Sequence, residues 1–548
     1  MKLKRIILFI LLFLPLGILP AAPFDMILVG DPILQDIRFV SLESGRPFLS
    51  FSPPLAPAEV EIFLDSIDSS LLTAPAKEAY YRIRRRLTPR APISFTTDNF
   101  SLFLDINATL EGKARFNQDI AWEPQPATSP LLTLPLRLHF ANSVQLYFEP
   151  IFSVTPEVFS PHDAQFSHNV PLGYADYEPD MPLRAFLAAG GSWWNFQIGR
   201  DNLSWGTGHT GSLSFSDNST YFDFARLSFF SRSVKYSVVV NQMPLKINNS
   251  LYGLDWEKNP EALRSTTNRY FYLHRIDFLF KNRVTLGLME GAMVGNSPLE
   301  LRFLNPMMIF HSLFSWTDYD SWRYTSENDN SKADMVGSFF SLELNWHITR
   351  AFAFHGQFVM NEFATPGEEE GGDQSPNALG YMAGFSFTHS FNTWASIFFL
   401  EFIYTDPYLY ILSTPFASFI HMRTIDVDRY YFIGHSRDTI TLSLGGRFFK
   451  GDTLSFTSIL SWIASGEHNA NGITWNWTDN PDIISKNRAT PTGTAEHKFA
   501  ATLATSWRPL PRIGFNADAT AIVSLNNKHV LNATRNGGQA SFSINLRY

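Results

Sequence analysis

Residues 199–218 read GRDNLSWGTGHTGSLSFSDN, and this stretch gathers Arg200, Asp201, Trp205, His209, Asp217 and Asn218 into one segment. An aromatic face suits the C–H side of a pyranose ring. Charged and amide groups that bond through two atoms suit its hydroxyls. The same groups could instead pair with one another and fill an interior. Gly206, Gly208 and Gly211 have the spacing of a dinucleotide fingerprint. That motif works only where a strand enters the loop and a helix leaves it. Here SLSFSDNSTYFDFARL follows, rich in serine and turn formers, so the glycines read as a loop that lets backbone pack closely. GHTGS is not a nucleophile elbow, and the 14 histidines include no His-Glu-x-x-His pair. A Ser/His/Asp set drawn from distant strands stays open, but no catalytic residue is assigned. The chain has no cysteine, which excludes disulfides and thiolate metal sites. No cofactor and no metal is expected, and the acidic stretch TPGEEEGGDQSPN at 365–377 reads as a solvated loop.

The elements that would position these residues follow a period of two. In 100–116, Phe100, Leu102, Leu104, Ile106, Ala108, Leu110, Ala114 and Phe116 alternate with Ser101, Asp105, Asn107, Thr109, Glu111, Lys113 and Arg115. Such a period puts alternate side chains on opposite faces of a strand. It returns at Val234–Val240 against Lys235 and Ser237, and at Ile276–Phe280 against Arg275 and Asp277. It returns again at Ile513–Val523 against Asn516, Asp518 and Thr520. Aromatics make up 15% of the chain, with 50 Phe, so the apolar face is too large for a soluble sandwich. Facing it to lipid and the polar face inward gives a transmembrane barrel. Arg275 and Asp277 are then expected to point inward.

No apolar run after the N-terminus reaches the roughly 20 residues of a membrane helix. Short turns near Asn142, 190–191, Arg232, 281–282, 349–350, 391–392, 450–451 and 509–510 alternate with long polar loops. That alternation predicts about 18 antiparallel strands over 98–548, with short turns on the periplasmic side. The closing segment ASFSINLRY is the last strand, and its terminal Tyr548 is the kind of ring the barrel-assembly machinery reads. Residues 1–22 read as a signal peptide: Lys2, Lys4 and Arg5, then an apolar core, then Ala21 and Ala22. Residues 23–97 read as a small periplasmic helical region, with Val60, Phe63, Leu64, Ile67 and Leu71 at helical spacing and a second helix opening at Pro75. Its basic run Arg82, Arg84, Arg85 and Arg86 reads as a solvated face, with contact to anionic head groups as the alternative. With a net charge of −8 and no clustered basic surface of the nucleic-acid kind, no nucleic-acid partner is expected.

Four segments resemble the capsule-assembly Wzi family of outer-membrane barrels: 199–218, LRFLNPMMIF at 301–310, EFIYTD at 401–406 and FIGHSRDTI at 432–440. The resemblance implies an 18-stranded barrel with a periplasmic helical bundle, located in the bacterial outer membrane among its lipids. It implies binding of surface polysaccharide without catalysis. Carried over by position, it marks Arg200, Trp205, Gly206, Gly208, His209, Asp217, Asn305, Pro306, Glu401, His435 and Asp438. A passive or substrate-specific pore uses the same polar interior and is the alternative. An adhesin would rest on the long loops alone. The whole reading predicts that the exported chain stays dispersed only in detergent and gives strand-dominated circular dichroism. A freely soluble or mainly helical product would end it.

Overall fold

The computed structural model describes residues 24–116, 129–154, 166–170, 177–180, 184–216, 221–243, 269–295, 298–305, 336–362, 377–412, 418–419, 435–468 and 489–548. The expected signal peptide at 1–22, Asp217, Asn218, Pro306 and nearly all of the acidic stretch 365–377 lie outside them.

The first strands are short: β1 (Ile93–Thr96), β2 (Phe100–Leu104), β3 (Asn107–Phe116), β4 (Leu132–Thr133), β5 (Leu136–Phe140), β6 (Val144–Phe148), β7 (Ile151–Val154), β8 (Phe166–His168), β9 (Tyr177–Asp180) and β10 (Ala185–Gly190). The next are longer: β11 (Trp194–Asp201), β12 (Phe222–Phe230), β13 (Val234–Gln242), β14 (Arg269–Phe280), β15 (Val284–Gly295), β16 (Val336–Thr349) and β17 (Phe352–Glu362). The last are β18 (Ala378–Phe391), β19 (Trp394–Thr405), β20 (Thr439–Lys450), β21 (Leu454–Ser465), β22 (Glu496–Leu510), β23 (Ile513–Leu525) and β24 (Thr534–Arg547). All belong to one sheet. From β10 to β24 each strand pairs antiparallel with the next. At one end β24 pairs with β3, and at the other β10 pairs with β6.

The sheet therefore has 24 hydrogen-bonded segments among the described residues, not the expected number of about 18. The alternating pattern runs through interruptions that break the ladder. Pro135 separates β4 from β5 and Pro150 separates β7 from β6, and proline brings no N–H to a ladder. Between β2 and β3 the chain changes neighbours at Asp105 and Ile106: β2 lies between β1 and β5, β3 between β24 and β4. The short strands β1 and β8 add to the count.

The faces follow parity. Along β18, Tyr381, Ala383, Phe385 and Phe387 are exposed while Met382, Gly384, Ser386 and Thr388 are buried. Leu503 of β22 is 63% exposed and Leu444 of β20 is 55% exposed, on the outer face. Arg275 and Asp277 are buried on the other face, as their parity requires. Arg275 donates to Asp277 at 2.7 Å and to Glu343 at 3.0 Å.

The helical region contains three α-helices rather than a pair: α1 (Ile33–Ser44), α2 (Pro57–Asp65) and α3 (Ala74–Arg86). The extra helix α1 starts after Asp31, whose side chain accepts from the Ile33 N–H at 3.1 Å. It stops at Gly45, which takes φ 68° and donates to Leu42 while Arg46 donates to Ser41. Pro57 opens α2, and Glu59 accepts from the Ala56 N–H at 3.0 Å, tying the first turn. Ile37, Val40, Leu55, Val60, Leu64, Ala79 and Ile83 form a common core with Ala353, Ala395, Ile397 and Phe449 of the sheet.

This region is bound into the inner face of the sheet by charge as well as by packing. Asp25 accepts from Arg137 at 3.0 Å, Arg86 at 2.8 Å and Gln145 at 2.7 Å. Burial disfavours its ionised form, but the two guanidinium groups outweigh burial and hold its carboxyl below the usual range. Glu59 meets Lys235 and Asn195 from two strands, and Ser50 donates to Asp277 at 2.8 Å. The helices also touch the short turns: Ala351 N–H donates to Leu42, and Phe24 N–H donates to Asn142.

Outward parity predicts an asymmetry. Leu503→Arg should cost about 2–4 kcal/mol in vesicles if it lies near the bilayer midplane. Its neighbour Thr502→Arg, on the inner face, should cost less. Urea unfolding followed by tryptophan fluorescence measures both.

Candidate functional site

Residues 202–216 leave β11 and turn inward instead of away from the sheet. Their apolar side chains explain it: Leu203, Trp205, Leu213 and Phe215 are buried with Phe271, Phe339, Tyr410 and Phe419. Trp205 N–H donates to Phe215 and Gly206 N–H donates to Phe51 of the N-terminal region. Gly206 sits at φ 127° and Gly211 at φ 145°, where a side chain would be strained. A Cβ on Gly208 would come within 3.1 Å of Met382 and press on the Gly211 carbonyl.

Polar atoms of this loop are met by the wall. Glu401, fully buried on β19, accepts the N–H groups of His209 and Thr210, the Thr210 hydroxyl at 2.7 Å, and pairs with His355 Nε2 at 2.8 Å. The His209 ring stacks on Phe399 with centroids 4.4 Å apart, and its Nε2 bonds Ser386 at 2.8 Å. Gln357 accepts the Leu213 N–H at 2.8 Å and donates to Ser214 at 3.0 Å. From the opposite side, Arg38 of α1 donates to the carbonyls of Thr207 at 3.0 Å and Gly208 at 3.2 Å. The loop is thus held between the sheet and the helices.

The expected residues divide among separate networks. Trp205, His209, Glu401, Gly206, Gly208 and Gly211 meet in the buried loop. Trp205 is 1% exposed, with Arg275 over its ring at 5.6 Å, so it presents no free face. Asp201, at inward parity, pairs with Arg184 at 3.1 Å and accepts from Gln197 at 2.9 Å. Arg200 projects from the opposite face of β11; it bonds Asp223 across to β12 at 2.8 and 3.0 Å and lies 3.7 Å over Tyr221. Asp438 accepts from the N–H groups of Thr492 at 3.1 Å and His468 at 3.2 Å, and from the Thr492 hydroxyl. His435 is half-buried, and Asn305 is exposed at the end of a short turn over Leu301–Leu304. Asp217, Asn218 and Pro306 lie outside the described residues.

Sequence reasoning missed His355, Gln357, Ser386, Phe399 and Arg38. Three of them were within reach of the alternation. Phe352, Phe354 and Phe358 of β17 mark the outward parity, which leaves His355 and Gln357 inward; Ser386 stands likewise opposite Phe385 and Phe387.

An antiparallel sheet with an apolar outer face and a polar face turned onto packed helices and an inward loop is built like the wall of a membrane-type β-barrel. The chain belongs to the family described as capsule assembly protein Wzi, whose sequence model matches residues 131–420. Among solved structures it is similar to Wzi of Escherichia coli, described as an outer membrane protein involved in group 1 capsule assembly and a carbohydrate-binding β-barrel. That likeness has a TM-score of 0.56 at 14% identity and covers 95% of this chain and 99% of the other. OprD of Pseudomonas aeruginosa matches at a TM-score of 0.41 and 8% identity, covering 82% of this chain and 95% of the other. A comparison with curated proteins gives no match.

Removing the buried carboxylate tests the loop's anchoring. Glu401→Ala leaves His355 and the Thr210 groups unpaired and should loosen 205–213 by about 3 kcal/mol. Hydrogen exchange of that segment reads the change. Arg200→Ala, which breaks a partly exposed pair, should alter it by less than about 1 kcal/mol.

Proposed function

We propose that this chain is a bacterial outer-membrane barrel that binds a surface polysaccharide, capsule or another exopolysaccharide, and helps attach or assemble it without catalysing a reaction. The family match over 131–420 carries the reading. The strand pairings support a closed ring. Setting aside the short β1 and β8 and taking β2 with β3, β4 with β5, β6 with β7 and β9 with β10 as single staves leaves 18 of them, with β24 against β3 as the seam. In this arrangement the short turns and α1–α3 face the periplasm and the long connections face outward. Strand β24, with Phe542 and Leu546 outward and Tyr548 over Arg512, is the segment offered to the barrel-assembly machinery.

Within this reading the buried Trp205 and Glu401, with the half-buried His209 and the three glycines, form the scaffold. Sugar contacts fall to side chains nearer the long connections, Arg200 with Tyr221 and Asp223, Asn305 and His435, whereas the fully buried Asp438 holds the Thr492 and His468 segments in place. Asp217, Asn218 and Pro306 join them by sequence alone. Glu401 is saturated by loop donors, which suits a holding role rather than proton transfer.

One observation favours a pore as the second reading. Ser506 and Asn516 are paired across β22 and β23 at inward parity and are exposed, so the interior is not filled along that arc. Planar-bilayer conductance separates the two. A glycan-retaining barrel should pass little current, whereas steady channel openings would favour transport.

Binding is tested with purified protein and the host's own surface polysaccharide in a pull-down. Arg200→Ala and Asn305→Ala together should weaken retention about tenfold, as expected from losing one or two bonds to a charged or amide group. Failure of the unaltered protein to retain that polysaccharide would overturn the proposal.

A further inference from the structure

The basic run of α3 does not behave as one solvated face. Arg82 pairs with Asp36 at 2.7 Å, Arg84 pairs with Asp65, and Arg86 pairs with Asp25 at 2.8 Å and Asp31 at 2.9 Å. Arg85 is exposed, has no carboxylate partner among the described residues, and lines a cavity of about 820 Å³ at the short-turn end. Arg90, Arg512 and Arg547 line the same cavity and also have no carboxylate partner among the described residues. They come from four places in the chain: the last turn of α3, the segment before β1, the β22–β23 turn, and the end of β24. Asn107, Thr109 and Asn545 supply neutral hydrogen-bonding groups to the wall.

A second cavity of about 600 Å³ adjoins the first, and Gly30, Asp31, Pro32 and Arg547 line both. Together they are lined by eleven arginines against six carboxylates, in a chain whose net charge is −8. The excess is local and runs against the overall balance. The carboxylates present are already engaged. Asp25, Asp31 and Asp105 pair with Arg86 and Arg137, Asp36 pairs with Arg82, Asp452 faces Arg508 at 3.6 Å, and Glu149 accepts from the Tyr147 hydroxyl at 2.8 Å. Four like charges lining one concave wall raise the local concentration of anions. The guanidinium fork matches the paired oxygens of a phosphate.

We infer that the cavity at the short-turn end is a binding site for a phosphate group, held by Arg85, Arg90, Arg512 and Arg547. The group comes either from a soluble phosphate compound or from the head group of a phospholipid in the adjoining leaflet. Arg512 and Tyr548 stand at the rim, where the cavity wall meets the outer face. The site lies at the opposite end from the proposed sugar contacts and does not depend on them.

The test uses the full chain in zwitterionic detergent. Inorganic phosphate is titrated calorimetrically against a chloride control. In parallel, nanodiscs of phosphatidylcholine with or without phosphatidylglycerol are compared by native mass spectrometry for retained lipid. Phosphate uptake identifies a soluble source, selective retention of phosphatidylglycerol identifies a head group, and both together identify the shared chemistry. The double change Arg85→Gln with Arg547→Gln should weaken binding at least tenfold, while Arg232→Gln in another short turn should leave it unchanged. Arg547→Lys, which keeps the charge but not the fork, should recover part of the loss. Heat-modifiable migration in electrophoresis confirms that each variant is folded. Binding of neither probe, or binding indifferent to the double change in folded protein, overturns the site.

Discussion

A charge buried on the inner face of this sheet must find a partner inside, because the outer face is apolar and cannot take it. That constraint organises the molecule. Lys235, Arg226, Arg275, Asp277, Glu343 and Glu401 are buried on the inner face, and an isolated buried charge is strongly disfavoured. The sheet does not satisfy them alone. The N-terminal region brings Asp25, Glu59 and Ser50, and residues 202–216 bring backbone N–H groups and hydroxyls. The apolar core then forms between wall and filling, with Ile37, Val60 and Leu64 at one end and Trp205, Phe215 and Phe271 at the other. Packing and charge pairing are therefore two aspects of one contact surface.

The two fillings are joined. Arg38 reaches from α1 to the carbonyls of Thr207 and Gly208, and its guanidinium lies 5.0 Å over Phe51. Gly206 in turn donates to the Phe51 carbonyl. The position of the loop is consequently set from both sides. Glu401, His355 and Gln357 fix it to the wall, and Arg38 and Phe51 fix it to the helices.

The sheet's faces were legible because a period of two needs no partner to be read. Parity alone places Arg275 and Asp277 inward, and the pairs they make there agree with that face. Breaks in hydrogen bonding were less legible. Pro135 and Pro150 interrupt ladders without disturbing the alternation, so segments outnumber the alternating runs. Helix α1 was missed because its apolar residues nearly surround it, from Ile33 and Leu34 to Val40 and Leu42, instead of marking one stripe. The site was legible as composition but not as geometry. Arg200 and Asp201 are adjacent in sequence, yet a strand turns them to opposite faces. Glu401 and His209 are 192 residues apart and meet only because β19 faces the inward loop.

Those separations bear on the order of assembly. Asp25 is 120 residues from Gln145, and Glu59 is 176 residues from Lys235. Contacts of such span are entropically costly until intervening chain is already arranged, since closing long loops precedes any gain from the contact. The amino-terminal helices therefore acquire their full set of ionic partners late, although they are the earliest part of the described chain to be made. Until then Asp25 and Glu59 need water, and so do Arg137 and Lys235, which they will neutralise. Each of these ties is therefore closed by taking its own charges out of water, so the local finishing step is a desolvation.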